Sequence, residues 1–195
     1  MRLVKQISED EVFSRWFINE AKGRLGEDLE SFVQRYPHYR AIVEKPNFES
    51  EFENRKRAVL CWLSRGAILF QLPLDVVWYQ AEISEDDFKS LFVIADNWWS
   101  KHYGSGSDKL STISDEVNLR KDIPYIKSLL ENIDEIDPNL IIIGKKNGPF
   151  TVIDGVHRAI ALYIHFFLLK KEKWTSFDVF IGISQVECIW QRNRV

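Results

Sequence analysis

The sequence predicts an α+β protein in which a helical N-terminal extension precedes a mixed sheet. Apolar residues recur at helical spacing through the first 66 residues, whereas from Ala67 onward short runs of β-forming residues alternate with helical patterns. The later segments lack regular strand–helix–strand repetition, which argues against an all-parallel α/β sheet. We therefore expect two domains, a helical extension over residues 1–66 and an α+β domain over residues 67–195.

Composition narrows the classes of function. The formal net charge is −3, and no cluster of lysines and arginines is interleaved with aromatic residues in the chain, which disfavours nucleic acid as a partner. No apolar run approaches about 18 residues and the first residues lack a signal-peptide core, so we expect a cytoplasmic protein that does not contact a membrane. Cys61 and Cys188 lie in apolar runs without metal-ligand spacing, which predicts buried thiols.

The extension is read as three helical segments. A capping-box pattern beginning at Ser8 predicts a first helix that ends near Gly23. A shorter apolar pattern follows over residues 29–36, and a longer helix is expected over residues 50–64 with Gly66 as its C-terminal stop. None of these segments carries a recognisable chemical motif. Their expected role is a packing layer or a surface that contacts a protein partner.

Strands and helices are expected next. Residues 67–72 and 76–83 are rich in β-forming residues and predict two strands. Ser84 begins a helical pattern whose apolar stripe continues to Trp99. Residues 100–118 are polar, so a long connection is expected there, and the sequence leaves open whether it is a lid or a disordered segment.

The last third predicts a helix, a hairpin and a final strand. A helix is expected over residues 122–133, before Asp137-Pro138. Asn147-Gly148 between the apolar runs 140–144 and 150–153 indicates a β-hairpin. Residues 177–183 form one more predicted strand.

The hairpin leads into the most informative motif of the chain. Asp154-Gly155 is expected to form a tight turn in which glycine adopts a positive φ, and a helix follows at once. The amides of Val156, His157 and Arg158 would then point out of the helix start, where the helix dipole favours an anion. The Arg158 guanidinium and the His157 ring could add donors, which predicts a phosphate-binding cradle.

A structural interpretation of the same residues remains open. Asp154 could be the N-cap of the helix, Gly155 could serve only the turn, and Arg158 could pair with a surface carboxylate. If phosphate does bind, the carboxylate of Asp154 repels it unless Mg²⁺ lies between them or the carboxylate acts as a base toward an incoming hydroxyl.

The motif resembles that of a known family. Residues 151–162, Thr-Val-Ile-Asp-Gly-Val-His-Arg-Ala-Ile-Ala-Leu, are similar to the Asp-Gly-x-His-Arg-x-x-Ala-Leu signature of the ParB/sulfiredoxin-like superfamily. The resemblance covers residues 67–183 and leaves the extension uncovered. It implies a ParB/sulfiredoxin-like mixed-sheet core in which Gly155, Val156, His157 and Arg158 contact the phosphates of ATP or another nucleotide.

The sequence differs from the family motif at positions that exclude some of the family's activities. Val156 stands where sulfiredoxins have their cysteine, so reduction of a sulfinic acid through a thiol at this position is excluded. The Gly-Glu-Arg-Arg type motif and the basic helix-turn-helix domain of partition proteins are also missing from the sequence. Among the members, a small-molecule kinase has the closest motif, and Glu82 lies at a place comparable to its acidic base.

The sequence therefore predicts an enzyme, a kinase or NTPase, that hydrolyses ATP or transfers its phosphate to a small hydroxyl-bearing substrate. His157 and Arg158 would hold the phosphates, and Asp154 or Glu82 would accept the proton or hold Mg²⁺. The alternative is a non-catalytic module that senses a nucleotide or phosphate and contacts a protein through the extension.

Other chemistry-bearing residues have structural interpretations. His165 is expected to be a core histidine with satisfied hydrogen bonds, and the Trp98-Trp99 pair is expected in the core with one ring partly exposed. His102, together with residues 105–107, would approach a ligand only if residues 100–118 form a lid. Lys145 and Lys146 are expected to be solvated residues of the hairpin turn, about 13 Å from Asp154.

Overall fold

A computed structural model describes residues 1–22, 30, 33–34, 36–94, 98–104 and 107–186. Over these residues the protein has a mixed α+β fold with a six-stranded sheet. The strands are β1 (Arg2–Ile7), β2 (Val77–Ile83), β3 (Phe92–Val93), β4 (Leu140–Gly144), β5 (Phe150–Asp154) and β6 (Phe177–Ile183). Their order across the sheet is β1-β2-β6-β4-β5-β3, and the sheet is mixed because β6–β4 and β5–β3 are parallel while β2–β6 and β4–β5 are antiparallel.

Eight α-helices lie in the described residues. They are α1 (Glu9–Lys22), α2 (Arg40–Glu44), α3 (Glu51–Leu69), α4 (Glu85–Lys89), α5 (Trp98–Tyr103), α6 (Leu110–Arg120), α7 (Pro124–Glu131) and α8 (Val156–Tyr163). A π-helical turn, Ile164–Leu168, continues α8. Within the described parts of the chain, no helix combines the length and apolar character needed to span a bilayer.

The chain divides into two compact units, and their boundaries differ from the predicted boundary between residues 66 and 67. One unit is Ile7–Leu72, and the other joins Met1–Gln6 to the chain from Pro73 onward. The expectation that residues 1–66 are all helical is wrong, because β1 belongs to the sheet. The predicted strand over residues 67–72 is also wrong, because α3 continues through Gly66 to Leu69 and a turn follows it.

Serine caps begin the two long helices of the helical unit. The hydroxyl of Ser8 accepts a hydrogen bond from the Glu11 amide, and the hydroxyl of Ser50 accepts one from the Glu53 amide. Gly66 does not end α3, because the buried Leu69 one turn later holds the helix against the core of this unit. The predicted end of α1 at Gly23 and half of the predicted helix over residues 29–36 lie outside the described residues.

A fully buried arginine organises the helical unit. The Arg57 side chain lies on α3 with none of its surface exposed. It donates five hydrogen bonds of 2.6–3.0 Å, to the Ser14 hydroxyl, the Ile42 and Asn47 carbonyls, the Glu53 carboxylate and the Asn54 side-chain oxygen. Because a buried guanidinium is tolerated only when its donors are satisfied, this network joins α3 to α1, α2 and the intervening loop.

The ion pair within this network makes stability depend on pH. Hydrogen bonds from the Arg57 side chain and the Asn47 amide lower the pKa of Glu53 below its ordinary value. In the acid range the unfolded carboxyl is protonated while the folded one is still charged, so this stabilisation is present above the ordinary pKa and is lost as the pH falls through the folded pKa. We expect Glu53→Gln to flatten the loss of stability with falling pH below about pH 5.

Urea unfolding of the helical unit at a series of pH values checks this expectation. Glu49→Gln is the matched control, because Glu49 is an exposed carboxylate close by in the chain. If the stability of Glu53→Gln falls with pH as steeply as that of the wild type, Glu53 is not the cause of the pH dependence.

The predicted long helix after Ser84 is divided into three elements. Only Glu85–Lys89 forms α4, capped by the Ser84 hydroxyl, and residues 92–93 pair with β5 as a short parallel strand. The apolar residues in this segment fit one face of a helix, and they fit equally well a short strand that is buried on both of its faces. Leu91 and Val93 are completely buried beside the sheet, which explains why tertiary packing overrides the helical pattern.

The predicted loop over residues 100–118 is wrong as well, because α5 and α6 occupy most of it. Leu110, Ile113 and Val117 are spaced as one helical face, and all three are buried in the core. The many serines and charges around them concealed this stripe. Residues 105–106 lie outside the described residues, and so does the predicted buried thiol Cys188, whereas Cys61 is buried as expected.

The hairpin, the helix before it and the last strand are confirmed. Helix α7 lies within the predicted range 122–133, β4 and β5 pair as predicted, and β6 has the predicted bounds. One face of the sheet packs with α4–α8 around a continuous apolar core, and α8 is buried from Ala159 to Leu162. The core therefore fixes the position at which β5 ends and α8 begins.

Candidate functional site

The junction between β5 and α8 has the geometry that the sequence predicts. Gly155 adopts φ +86°, a left-handed conformation that favours glycine, and its carbonyl accepts the first helical hydrogen bond from the Ala159 amide at 2.9 Å. Gly155 is itself the N-cap residue of α8, and no side chain caps the helix from that position. The alternative in which Asp154 is the N-cap is therefore wrong.

Asp154 and Arg158 form an ion pair across this turn. The Arg158 Nη2 donates to Asp154 Oδ2 at 3.0 Å, and the two side chains are only 18% and 10% exposed. Asp154 is the last residue of the buried strand β5, and Arg158 lies in the first turn of α8. The carboxylate that the sequence left without an assigned partner is thus held by the guanidinium that was expected to bind phosphate.

The positive φ at position 155 favours glycine, and the Arg158 guanidinium lies over this residue. A Cβ built on Gly155 would be 2.9 Å from Arg158 Nη2, 3.1 Å from Nε and 2.7 Å from Leu140 Cδ2. The planar guanidinium has five N–H donors, and Asp154 accepts from one of its nitrogens. Arg158 can therefore present further donors toward the helix start while it remains paired with Asp154.

His157 is held by aromatic rings. Its ring lies edge-on to Trp99, with centroids 4.8 Å apart, and to Tyr125, with centroids 5.0 Å apart. Trp99 is buried, whereas Trp98 beside it is 51% exposed, which confirms the expectation for this pair. The half-buried Val156 packs against the core and has no nucleophilic atom. The sequence predicted the motif residues, but it did not predict that His157 lies between Trp99 and Tyr125.

Glu82 does not join this group. The guanidinium of Arg2 donates two hydrogen bonds to its carboxylate, at 2.8 and 3.0 Å, and these bonds lower the pKa of Glu82. Glu82 lies on β2, and strands β6 and β4 separate it from β5, where Asp154 lies. Three strand spacings make about 14 Å, too far for both carboxylates to act on one phosphate group. The sequence predicts Asp154 or Glu82 as the proton acceptor or Mg²⁺ ligand, and of the two only Asp154 lies at the β5–α8 junction.

The remaining candidate residues lie in other surroundings. His102 is on α5, where its Nδ1 is 2.8 Å from the Trp98 carbonyl oxygen and its ring stacks on that of Trp98. His165 is buried as expected, but its Nε2 has no hydrogen-bond partner among the described residues, and the Glu172 carboxylate is 3.7 Å away. Lys145 and Lys146 lie in the hairpin turn.

A basic and aromatic cleft escaped the sequence reasoning. It has a volume of about 730 Å³ at the end of the π-helical turn, and the Lys89 ammonium lies 4.7 Å from the centroid of the Phe167 ring. Its lining consists of Glu85, Lys89, Phe166, Phe167, Lys170, Lys171, Glu172, Lys173 and Trp174. The expectation that no lysine cluster lies among aromatic residues is wrong for residues 166–174, where three lysines lie between Phe167 and Trp174. Only the fold brings Lys89 to them.

The β5–α8 junction remains the part of the described chain with the most defined chemistry. It combines a helix start with glycine at its N-cap, a positive φ at that glycine, a buried carboxylate and a guanidinium with further donors. This arrangement suits an anion that can share the guanidinium with Asp154. No family model, curated protein or solved structure matches this chain.

Proposed function

We propose that the protein binds the phosphates of a nucleotide at the β5–α8 junction, as the motif's resemblance to the ParB/sulfiredoxin-like superfamily implies. The observation that carries the proposal is the Arg158 guanidinium held over Gly155 at the start of α8. The helix dipole and the first amides favour an anion there, and the guanidinium adds charge-assisted hydrogen bonds. Val156 and His157 contribute the neighbouring amides, and the His157 ring can contribute another donor.

The proposed reaction is hydrolysis of ATP or transfer of its terminal phosphate to a small hydroxyl-bearing substrate. Asp154 is the carboxylate that lies beside the cradle. The substrate or water oxygen would attack the γ-phosphorus, its proton would pass to Asp154, and ADP would leave. Mg²⁺ fits this scheme because proteins commonly hold it with one or two carboxylates together with the phosphates of the substrate.

The second candidate function is non-catalytic sensing of a nucleotide or phosphate. It is favoured by one observation, that both proposed bases are already paired, Asp154 with Arg158 and Glu82 with Arg2. A carboxylate held by a guanidinium is a weaker proton acceptor than a free one. Turnover separates the two functions, because an enzyme releases ADP or phosphate and a sensor does not.

Binding is tested by titrating ATP, CTP, GTP and tripolyphosphate with Mg²⁺ into the full chain. We expect Arg158→Lys, which keeps the charge but loses the forked donors, to raise the Kd of the bound ligand roughly 10-fold. The double variant Asp154→Asn, Arg158→Met should raise it roughly 100-fold without leaving one buried charge unpaired. Single Arg158→Ala is avoided, because it leaves the buried Asp154 carboxylate without its partner.

Arg15→Lys is the matched control. Arg15 forms the same type of ion pair, with Glu11 one turn before it at 2.8 Å, and is similarly half-buried on α1. It should leave the Kd unchanged. Equal affinities in wild type and both Arg158 variants would refute the cradle, and so would no binding of any of the four ligands. If ligands bind, release of ADP over hours of incubation supports the enzyme, and its absence supports the sensor.

A further inference from the structure

Helix α3 carries an apolar stripe that no described residue covers. Phe52, Val59, Leu63 and Phe70 are 70%, 54%, 80% and 83% exposed, although each is a large apolar side chain. Together they leave roughly 500 Å² of apolar surface in solvent, near the top of the range for the largest patch on a typical monomer. The four residues, here called the α3 stripe, lie within the helical unit, whereas the β5–α8 junction belongs to the other unit.

The α3 stripe runs straight along the helix. Phe52 and Phe70 are eighteen residues apart, which is five full turns at 3.6 residues per turn, so they lie on one line. Val59 and Leu63 lie within about 20° on either side of that line. The stripe is therefore about 27 Å long and narrow, and a second helix packed along it would contact all four residues.

The spacing of the stripe is the same read from either end. The successive spacings are seven residues from Phe52 to Val59, four from Val59 to Leu63 and seven from Leu63 to Phe70. In an antiparallel pair of identical helices, Phe52 of one copy faces Phe70 of the other and Val59 faces Leu63. A two-fold interface needs a patch that is complementary to itself in this way, and an unrelated helix would impose no such symmetry.

The polar residues beside the stripe favour the same register. Arg55 and Lys56 are exposed near the start of α3, and the Lys56 ammonium lies 5.4 Å from the centroid of the Phe52 ring. The antiparallel register places Lys56 opposite Gly66 of the other copy, where no side chain obstructs its aliphatic part. A parallel pair would instead place Lys56 against Lys56 and Arg55 against Arg55, which is repulsive.

We propose that α3 is the interface of a homodimer, in which two copies pack their stripes antiparallel about a two-fold axis near residue 61. The area agrees with this assignment. The apolar stripe supplies the centre of the interface, and the exposed polar residues along its edges extend it toward the roughly 800 Å² per partner of a standard interface.

Analytical ultracentrifugation of the full chain tests the dimer. The wild type is expected to sediment as a dimer, and Leu63→Glu is expected to weaken the dimer at least roughly 30-fold, because it places a charge at the centre of the contact. Leu119→Glu is the matched control: Leu119 is 75% exposed on α6, which belongs to the other compact unit, and its substitution should leave the dimer intact. A monomeric wild type would overturn the proposal, and so would a dimer unaffected by Leu63→Glu.

Cross-linking tests the register. In the antiparallel pair, two copies of residue 52 are about 27 Å apart, whereas residue 52 of one copy faces residue 70 of the other. A short bis-maleimide reagent should join an equal mixture of Phe52→Cys and Phe70→Cys chains, and neither variant alone should cross-link above the wild-type background. Efficient cross-linking of Phe52→Cys alone would overturn the antiparallel arrangement. Equal melting temperatures of the variants and the wild type exclude unfolding as the cause of either result.

Discussion

Replacing Arg57 by methionine is expected to lower the free energy of unfolding of the helical unit by about 3–5 kcal/mol. The side chain is completely buried, and five hydrogen bonds satisfy its guanidinium. Methionine has a similar length but no donor, so the substitution leaves the Glu53 carboxylate and two backbone carbonyls without this partner. The loss is large because the partners stay behind, and a coordinated replacement of the whole network would cost less.

Urea unfolding at one fixed protein concentration measures this effect, with the circular dichroism of the helices as the signal. Arg55→Met is the matched control on the same helix, since Arg55 is 74% exposed and its nearest carboxylate, that of Asp10, is 3.6 Å away. Its cost should stay below about 1 kcal/mol. If Arg57→Met costs no more than Arg55→Met, the buried network does not stabilise the unit.

Substituting alanine for Gly155 is expected to cost about 1–3 kcal/mol of stability and to weaken binding at the β5–α8 junction. Two causes act together. The backbone φ of +86° is strained for any residue with a Cβ, and that Cβ would lie 2.7 Å from Leu140 Cδ2 and 2.9 Å from Arg158 Nη2. Relief of the second contact moves the guanidinium away from the helix start, so anion affinity should fall along with stability.

Gly66→Ala gives a control with the opposite sign. Gly66 lies inside α3, and a Cβ there would come no closer than 3.6 Å to the Phe70 ring. Because alanine is the better helix former, the substitution should stabilise α3 by about 0.5–1 kcal/mol. The melting temperatures of Gly155→Ala, Gly66→Ala and the wild type test both expectations. Gly155→Ala as stable as the wild type would show that the turn does not require glycine.

The predictions that succeeded rest on local chemistry. The Asn147-Gly148 turn, the serine cap at Ser8 and the positive φ of Gly155 follow from the preferences of a few adjacent residues. Such preferences hold wherever the segment is placed. The motif from Asp154 to Arg158 was therefore located correctly, with its strand before and its helix after it.

The predictions that failed concern segments whose pattern suits more than one structure. The run around Leu91 and Val93 is a short strand because β5 is available to pair with it, and the serine-rich segment near Leu110 is helical because three of its residues reach the core. The run that begins at Ala67 ends a helix whose last residue, Leu69, is buried. In each case, burial that the local sequence does not encode selected the outcome.

The sequence by itself determined that this chain has a helical N-terminal part, a β-hairpin and a glycine turn that opens a helix on His157 and Arg158. Only the tertiary structure decided which charges meet: it pairs Arg158 with Asp154, removes Glu82 to the far side of β6 and β4, and buries Arg57 among five acceptors. The physical reason is distance along the chain. Turn and cap preferences act over a few residues, whereas strand order and core packing bring together groups that sequence spacing leaves unrelated.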